Sequence, residues 1–357
     1  MRVLIVGCGG IAPFHLEPLS RDPRARIVGL CDPNKDNLEA VRLRFAPDAL
    51  VGDDLASLVE RVEPDAAVVL SPTQLHFEHV RTLLERGVPT LCEKPLAESR
   101  SRIARLVELS RDGGVPLSIA YQRRTFATYR TLRREVLSGR WGKVQSVTSL
   151  STERWIQVYG GTWRDDPGFN PGGFVGDAGS HKVDMLFFTT GLAPRQVVAH
   201  SQRRGHGVDV VTNAVGVLGE DTSLTMISVG DASHYREELT VHLDHADFLI
   251  RDGKLLIARN NRIDEVRAVG TWDTPVAWAG AGSPHARDQV AVADESLAPP
   301  TLEPGSTPVV AFLDHLLAAA PNVAPPEIAL PVWDFTAALM RSAREGRAVD
   351  VVPAESM

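Results

Sequence analysis

The chain has 357 residues, of which 43% are hydrophobic and 23% charged, and its formal net charge is −7. This length allows two domains with separate cores. The acidic balance argues against a general nucleic-acid-binding protein, because no basic run offsets it. No apolar segment approaches the roughly 20 residues that a membrane-spanning helix needs. The N-terminus runs directly into a strand and a glycine turn, so we expect no signal peptide. Three cysteines, an odd number, fit a reducing cytoplasm without a disulfide framework.

The first 122 residues alternate short apolar runs with amphipathic helical segments. Near-continuous apolar strands separated by helices are typical of a parallel sheet that helices cover on both faces. Right-handed crossovers would wind this α/β segment, residues 1–122, into a Rossmann-like, doubly wound domain. The predicted strands are Arg2–Val6, Arg26–Cys31, Ala66–Leu70, Thr90–Glu93 and Pro116–Tyr121, and the predicted helices are Asn37–Phe45, Leu55–Val62, Leu75–Arg86 and Ser99–Arg111.

Residues 123–357 have a different pattern, in which a few helices accompany a long series of strand candidates. Helices are predicted over Phe126–Ser138, Gly179–Thr189 and Val332–Glu345. Turns such as Gly219-Glu220-Asp221 and Asp252-Gly253-Lys254 join neighbouring strands as hairpins. The pattern therefore predicts an α+β domain with a large open antiparallel sheet and flanking helices. The strand candidates are Val144–Thr152, Val197–Gln202, Thr212–Leu218, Ser223–Val229, Glu238–Leu243, Phe248–Arg251 and Leu255–Ala258.

The open face of this second sheet has consequences for assembly. Exposed apolar area drives association, so we expect a homo-oligomer, dimeric or tetrameric, through this sheet. The segment from Asn260 to Pro308 is rich in Pro, Gly, Ala and charge and is predicted to be mostly loop. With Trp272 and Trp278, it could cover either a partner or the functional site. The last helix could pack back on the first domain.

A glycine-rich turn directly follows the first strand. The segment Gly7-Cys8-Gly9-Gly10-Ile11-Ala12 matches G-x-G-x-x-A. Gly7 would permit a tight turn, Gly9 would let the backbone approach a pyrophosphate, and small Ala12 would let helix and strand pack closely. Such turns also occur for structural reasons alone, but its place in a βαβ pattern favours dinucleotide binding.

The residue at the end of the second strand indicates which dinucleotide would bind. Asp32 lies 20 residues after Ala12 and can accept a hydrogen bond from a ribose 2′-hydroxyl, whereas it would repel a 2′-phosphate. NAD is therefore preferred over NADP. The alternative is that Asp32 is a turn residue before Pro33, and Lys35 nearby would be compatible with a phosphate.

Two further loops follow predicted strands. Ser71-Pro72-Thr73 and Glu93-Lys94-Pro95 should both face the nicotinamide half of the cofactor, because ligands bind beyond the carboxyl ends of parallel strands. A lysine near buried strand ends is costly without a partner, which argues for a function. The alternative for Lys94 is a buried salt bridge with Glu93. His76 could contact the cofactor or cap the next helix.

An acid and a histidine four residues apart, Asp177 and His181, would lie on one face of a helix. Gly172-Gly173-Phe174-Val175-Gly176 before them would let the chain fold closely over a flat ring. Asp177 could instead be an N-cap. His181 with Asp184 could indicate a metal site, but no third ligand at a convincing spacing accompanies them, and we predict no metal.

Taken together, these motifs resemble the Gfo/Idh/MocA oxidoreductase family over almost the whole chain. The resemblance rests on the Gly-Cys-Gly-Gly-Ile-Ala turn, Ser71-Pro72-Thr73 with His76, Glu93-Lys94-Pro95, Tyr121-Gln122-Arg123-Arg124, Thr162-Trp163-Arg164, Asp177 with His181 and Asp184, and the closing segment Ala343–Val349. Each motif alone is modest, whereas the combination is specific.

The resemblance implies that Lys94, Asp177 and His181 form the reactive group of an NAD-dependent dehydrogenase. An imidazole has the intrinsic pKa that suits a general base for a secondary alcohol. Asp177 would orient this imidazole or bind a neighbouring hydroxyl, and Lys94 would stabilise negative charge on the reacting oxygen. The amine and the imidazole are expected to meet over the same nicotinamide ring.

The resemblance further implies that Gln122 contacts the nicotinamide carboxamide or ribose. Arg123, Arg124, Trp163 and Arg164 are candidates for the substrate side, although Trp163 could be a core residue.

The expected substrate is a sugar, cyclitol or aminosugar with a free secondary hydroxyl. Arginines near the cofactor would suit an anionic group, whereas Glu153, Asp165 and Asp166 would suit an amine. Two alternatives stay open: a non-catalytic NAD(H)-binding regulator of the same fold, and an oxidoreductase that moves hydride between two sugars on a tightly held cofactor.

Overall fold

The computed structural model describes residues 1–266 and 305–353, which divide into two compact units. Unit 1 contains Met1–Thr125 and residues 305–327, and unit 2 contains residues 126–266 and 328–353. Trp272, Trp278 and most of the predicted loop between Asn260 and Pro308 lie outside the described residues. No helix in the two described ranges is both long enough and apolar enough to cross a membrane.

Unit 1 is built on a six-stranded parallel sheet, which confirms the predicted doubly wound fold. Its strands are β1 (Arg2–Val6), β2 (Arg26–Cys31), β3 (Leu50–Gly52), β4 (Ala66–Val69), β5 (Thr90–Cys92) and β6 (Leu117–Ile119). Its first five helices are α1 (Ala12–Arg21), α2 (Lys35–Phe45), α3 (Leu55–Val62), α4 (Thr73–Leu84) and α5 (Arg100–Gly113). The strand order is β3-β2-β1-β4-β5-β6. The order reverses between β1 and β4, where open α/β sheets bind their ligands.

Local sequence signals set the ends of these helices. The side chains of Asn34, Asp54 and Ser99 accept hydrogen bonds from backbone N–H groups at the starts of α2, α3 and α5. These donors have no partner inside the helix, so each cap removes an unsatisfied group. Strand β3 was not predicted, because Leu50 and Val51 are exposed at the sheet edge and no buried apolar run marks it.

A helix that the sequence analysis did not predict completes the core of unit 1. Helix α10 (Pro308–Ala318) begins after Thr307, whose hydroxyl accepts a hydrogen bond from Val310 N. Its apolar face shares one buried cluster with side chains of β1 and α1. An Arg24–Asp314 ion pair of 2.6 Å fixes its C-terminal half. The predicted loop ends at Pro308, so only the first residue of this helix was assigned to it, and a proline is compatible with a first helical turn.

Unit 2 is built on a nine-stranded sheet. Its strands are β7 (Val144–Thr152), β8 (Pro194–Gln202), β9 (Val211–Leu218), β10 (Thr222–Val229), β11 (Arg236–Leu243), β12 (Asp247–Arg251), β13 (Lys254–Arg259), β14 (Arg262–Glu265) and β15 (Val349–Asp350). Its helices are α6 (Ala127–Leu137), α7 (Trp155–Tyr159), α8 (Gly173–Gly176), α9 (Ser180–Thr190) and α11 (Ala329–Glu345). The strand order is β14-β13-β12-β11-β7-β10-β9-β8-β15.

The second sheet is mostly antiparallel, as predicted, but its central strands β7 and β10 run parallel. Short turns force neighbouring strands to be antiparallel, whereas β7 and β10 are separated by helices and two further strands, which leaves their direction open. The two predicted hairpins, β9–β10 and β12–β13, are confirmed. Strand β14 pairs with β13 in a segment that was predicted to be loop.

One face of this sheet is covered and the other is open. Helices α9 and α11 contact the covered face, on β7 and β8. The buried hydroxyl of Ser342 in α11 accepts from Ala199 N at 2.9 Å and donates to the carbonyl of Arg347. On the open face, Val198 and Val215 are 41% and 54% exposed. The alternation of buried and exposed residues along the strands follows from their two-residue period.

Candidate active site

The residues predicted to bind a dinucleotide follow the parallel strands of unit 1. They occur after β1, β2, β4, β5 and β6: Gly7, Gly9, Gly10, Ile11 and Ala12; Asp32; Ser71, Thr73 and His76; Glu93 and Lys94; and Gln122. Because all six strands are parallel, these positions share the carboxyl edge of the sheet. In folds of this type, that edge is where ligands bind.

Gly7 forms the tight turn after β1. Its φ of 98° is one that residues with a side chain rarely adopt. A Cβ on Gly7 would lie 2.5 Å from Ser71 N and 2.6 Å from Leu70 C, so a side chain would collide with backbone. Only glycine therefore lets the turn after β1 lie directly against the loop after β4.

Gly9 and Gly10 border open space. A Cβ built on either residue would have no neighbouring atom within 4 Å, and helix α1 starts just beyond, at Ala12. Exposed backbone amides at a helix start attract phosphate groups. Burial, and then the charges of Asp32 and Cys31, raise the pKa of the Cys8 thiol to about 12, so this side chain adds no negative charge. The turn fits the pyrophosphate of a dinucleotide.

Asp32 is linked to this turn by hydrogen bonds. Its Oδ2 accepts from Cys8 N at 2.7 Å, and its Oδ1 accepts from Asn34 N at 2.8 Å. The second bond is the local contact of a turn residue, as the alternative interpretation supposed. The first bond additionally ties the carboxylate to the glycine turn, 24 residues away in sequence. Two backbone donors thus fix the orientation of Asp32.

Glu93 has a partner that the sequence did not indicate. Its Oε1 is 2.7 Å from His15 Nε2, and its Oε2 accepts from Lys94 N at 3.0 Å. Burial alone would raise the pKa of Glu93, but the hydrogen bond with His15 and the charges of His15 and Lys94 outweigh it and lower that pKa. His15 is buried in α1. The carboxylate therefore connects helix α1 to the loop that carries the half-buried Lys94.

His76 is 1% exposed and bridges two loops. Its Nδ1 lies 2.8 Å from the carbonyl oxygen of Pro95, and its Nε2 lies 2.7 Å from that of Ser71. Burial lowers the pKa of His76, against the opposing effect of these two carbonyls. Helix α4 has Pro72 as its N-cap and no side-chain cap, so the capping interpretation of His76 is wrong. The imidazole instead holds together the loops after β4 and β5.

Gln122, Arg123 and Arg124 form a buried 3-10 turn after β6. Arg124 Nη1 donates to the carbonyl of Val323 at 3.2 Å, within unit 1. This bond anchors the segment 305–327 to the end of β6. Arg123 and Arg124, predicted on the substrate side, are both buried, with 6% and 8% of their surface exposed.

In unit 2, Asp177 lies in the turn between α8 and α9, outside both helices. Helix α9 begins at Ser180 with Gly179 as N-cap, so the N-cap interpretation of Asp177 is wrong and the helical i, i+4 spacing does not apply to it. The chain turns tightly here, because a Cβ on Gly179 would lie 2.5 Å from Val175 Cα. His181 is 6% exposed in the first turn of α9.

The Asp177 carboxylate receives two donors on the same oxygen. Trp155 Nε1 and Arg164 Nε donate to Oδ2 at 3.0 Å and 3.1 Å. The Arg164 guanidinium also lies over the rings of Trp163 and Tyr159, at 4.3 Å and 4.5 Å from their centroids. Trp163 is half-buried in a 3-10 turn, so its interpretation as a core residue is wrong.

The carboxylates that suggested an amine-binding site already have partners. Glu153 is buried against Lys182 Nζ. Asp165 accepts from Gly161 N and Gly207 N; burial alone would raise its pKa, but these hydrogen bonds help to lower it. Asp166 accepts from Gly168 N at 2.7 Å. These contacts fix loops of unit 2, so they do not favour an amine-bearing substrate.

His181 and Asp184 are both buried on α9. No group of three or more His, Cys, Asp or Glu side chains suited to a metal ion occurs among residues 1–266 and 305–353.

Two family models match this chain. The family model described as "Oxidoreductase family, NAD-binding Rossmann fold" matches residues 1–121, and the "GFO/IDH/MocA C-terminal domain" matches residues 129–248. The chain is 28% identical to D-glucoside 3-dehydrogenase of Escherichia coli over 56% of its own length and 57% of that protein. It is 36% identical to myo-inositol dehydrogenase Hyg17 of Streptomyces leeuwenhoekii over 56% of its length and 58% of that protein. The matched part thus spans little more than half of these relatives.

A solved structure extends the likeness in fold to nearly the whole chain. The WlbA dehydrogenase of Bordetella pertussis, determined in complex with NADH and UDP-GlcNAcA, has a TM-score of 0.75 and 20% identity, and the match covers 99% of each chain. Matches to both domain models together cover more than half of the sequence. The protein therefore belongs to the Gfo/Idh/MocA family of oxidoreductases.

Proposed function

We propose that the protein transfers hydride between a secondary alcohol of a sugar or cyclitol and NAD. One observation carries the proposal: the glycine turn, Asp32 and the Glu93-Lys94 loop share the carboxyl edge of the parallel sheet. That edge combines a glycine turn that fits a phosphate with a lysine, in a chain of an oxidoreductase family. The named activities of the similar proteins, on glucosides and inositol, support the substrate class.

The preference for NAD over NADP is part of this proposal. Asp32 is held by two backbone donors and cannot rotate away from an incoming ribose. Asp53 and Asp54 add further negative charge close by. Burial, followed by the charges of Asp32, Asp54 and Asp53, raises the pKa of the Cys31 thiol to about 11. A 2′-phosphate would meet this negative region, whereas a 2′-hydroxyl could donate to Asp32.

The chain's own residues would supply binding and proton transfer. When bound, the nicotinamide would accept or return the hydride. Lys94 would donate a hydrogen bond to the reacting oxygen and stabilise the charge developing there. His181 would take the hydroxyl proton, and return it in the reverse direction. Asp177 would act as a carboxylate that orients its neighbours, and Gln122 would contact the nicotinamide portion.

Single substitutions test these roles. Lys94→Ala and His181→Ala should each lower kcat by about 10²–10⁴-fold, the usual contribution of a positioned acid or base. NADH affinity should stay within a few-fold of wild type. The assay is NADH formation with a panel of inositols, glucosides, nucleotide sugars and aminoglycosides. If no member of the panel is oxidised by the wild-type protein although NADH binds, the dehydrogenase proposal fails and the regulator takes its place.

The shuttle on a tightly held cofactor is tested separately. NAD(H) that stays with the protein through gel filtration, together with transfer between two sugars without free NADH, would replace the proposal of an ordinary dehydrogenase. NAD(H) that separates on the column would exclude the shuttle.

We also propose that the open face of the second sheet binds a second copy of this chain. A row of residues on that face contains no charged side chain, and its members are directly opposite one another on consecutive strands. The row is Val198, Val215, Thr225, Thr148, Thr240, Leu249 and Leu256. Charges of both signs, Glu238, Arg251 and Lys254, lie in the adjacent row. A surface that combines an uncharged row with charges of both signs can pair with the same surface of a second copy about a two-fold axis.

A further inference from the structure

Asp177 is held by two donors that have little freedom of their own. Trp155 is 1% exposed and packs in a buried cluster with Phe174 of α8. An indole carries one N–H, and in Trp155 that group donates to Asp177 Oδ2. Since the ring cannot leave its cluster without opening a cavity, this donor stays aimed at the carboxylate.

Arg164 is fixed in a different way. Its side chain is 31% exposed, but its guanidinium lies against the rings of Tyr159 and Trp163 while Nε donates to Asp177. Burial, together with the charges of Asp177 and Glu153, raises the pKa of Tyr159 although Arg164 opposes it, so the phenol stays neutral. A neutral aromatic face attracts a guanidinium, which itself does not lose its proton in proteins.

The two contacts determine what the carboxylate can do chemically. A guanidinium and an indole N–H on one oxygen both favour the ionised form over the neutral acid. They also select one side-chain orientation, because both donors converge on Oδ2. A carboxylate held in this way acts as a constant negative charge and acceptor, and it is a poor carrier of the reaction's proton.

We propose that Arg164 and Trp155 are positioning residues for the dehydrogenase reaction, which act by holding Asp177 as a fixed, ionised hydrogen-bond acceptor. The expected effect on the reaction rate rests on the proposed function, whereas the hold on Asp177 does not. The inference assigns the proton transfer to another group and gives Asp177 the orienting role. Arg164, predicted as a substrate contact, then acts through Asp177.

A double-mutant cycle separates action through Asp177 from direct substrate binding. Arg164→Ala should lower kcat/KM by about 10–100-fold, mainly through kcat, because a charge-assisted hydrogen bond is lost. In the Asp177→Asn background, the same change should cost less than about threefold, since its target has lost its charge. Guanidinium added to Arg164→Ala should restore part of the rate. Equal costs in both backgrounds would mean that Arg164 contacts the substrate itself, and the inference would be overturned.

A measurement without turnover keeps this inference separate from the proposed function. The indole N–H signal of Trp155 in a ¹⁵N–¹H spectrum, assigned with Trp155→Phe, reports on its carboxylate acceptor. Arg164→Ala and Asp177→Asn should both move this signal, whereas Arg203→Ala should not, because Arg203 is 63% exposed and pairs with Asp209. An indole signal that is unchanged by Arg164→Ala would refute the inference, whether or not a substrate is known. Inactivity of the wild-type protein with every substrate would refute only the proposed function.

Discussion

The charge of Asp32 should determine the choice between the two dinucleotides, and Asp32→Asn is the sharpest perturbation of that choice. The substitution keeps the size of the side chain and removes its charge. One oxygen can still accept from Cys8 N or Asn34 N, while the new NH₂ group faces the other amide. The variant should fold, with the loss of about one hydrogen bond from the turn.

The magnitude follows from simple electrostatics. A 2′-phosphate would place a negative charge about 4 Å from the carboxylate, and at an effective dielectric constant of about 20 this repulsion is about 4 kcal/mol. Removing it should raise kcat/KM for NADP by about 10²–10³-fold. For NAD, loss of a charge-assisted hydrogen bond from the ribose should lower kcat/KM by about tenfold.

The assay is a parallel measurement of kcat/KM with NAD and NADP, on wild type, Asp32→Asn and Asp48→Asn. Asp48 is a suitable control, because its carboxylate is 82% exposed and belongs to the same unit. The control should keep the wild-type ratio. If Asp32→Asn changes the NAD to NADP ratio by less than about threefold, Asp32 does not contact the ribose and the reasoning fails.

Three further predictions concern the fold and its assembly. Gly7→Ala should destabilise unit 1 by about 1–3 kcal/mol in urea unfolding, because Gly7 has a positive φ and a Cβ there would collide with Ser71 N. Gly9→Ala should leave stability unchanged, because a Cβ on Gly9 meets no neighbouring atom, but it should weaken NADH binding by filling open space. Similar unfolding midpoints for both variants would contradict this account. Val215→Asp should shift the protein to a smaller species in light scattering, because it places a charge on the proposed interface. Leu43→Asp should not, since Leu43 is 65% exposed in unit 1. An unchanged mass for Val215→Asp would exclude the open face as the interface. Glu93 has a lowered pKa in the folded state, so its contribution to stability is present above its usual pKa and is lost as pH falls through the folded value. The free energy of unfolding in urea should therefore fall less between about pH 6 and about pH 3 in Glu93→Gln than in wild type. Equal decreases would contradict a lowered pKa of Glu93 in the folded state.

Much of the secondary structure could be predicted because it depends on local patterns. The bounds of β2 and α3 match the predicted ranges, since charged and turn residues limit their apolar runs on both sides. Elements whose apolar runs are not limited by charged or turn residues were not predicted. Helix α10 follows a proline-rich segment, and β14 has four exposed residues, so neither has the periodicity that identifies a helix or a strand.

The candidate site shows the same division. The glycine turn and Asp32 could be predicted to bind a dinucleotide because their spacing is typical of one βαβ unit. His15 and Glu93 are 78 residues apart, and Trp155 and Asp177 are 22 residues apart, with no repeating pattern between the partners. Their pairing therefore could not be read from spacing.

The sequence by itself determined the fold class, the glycine turn after the first strand and the kinds of side chain available for chemistry. Only the tertiary structure decided which carboxylate has which partner: Glu93 with His15, Glu153 with Lys182, and Asp177 with Arg164 and Trp155. The physical reason is the range of the interactions. Helix and strand periodicities act over a few residues, whereas a buried hydrogen bond needs two groups within about 3 Å, and folding brings such groups together from distant parts of the chain.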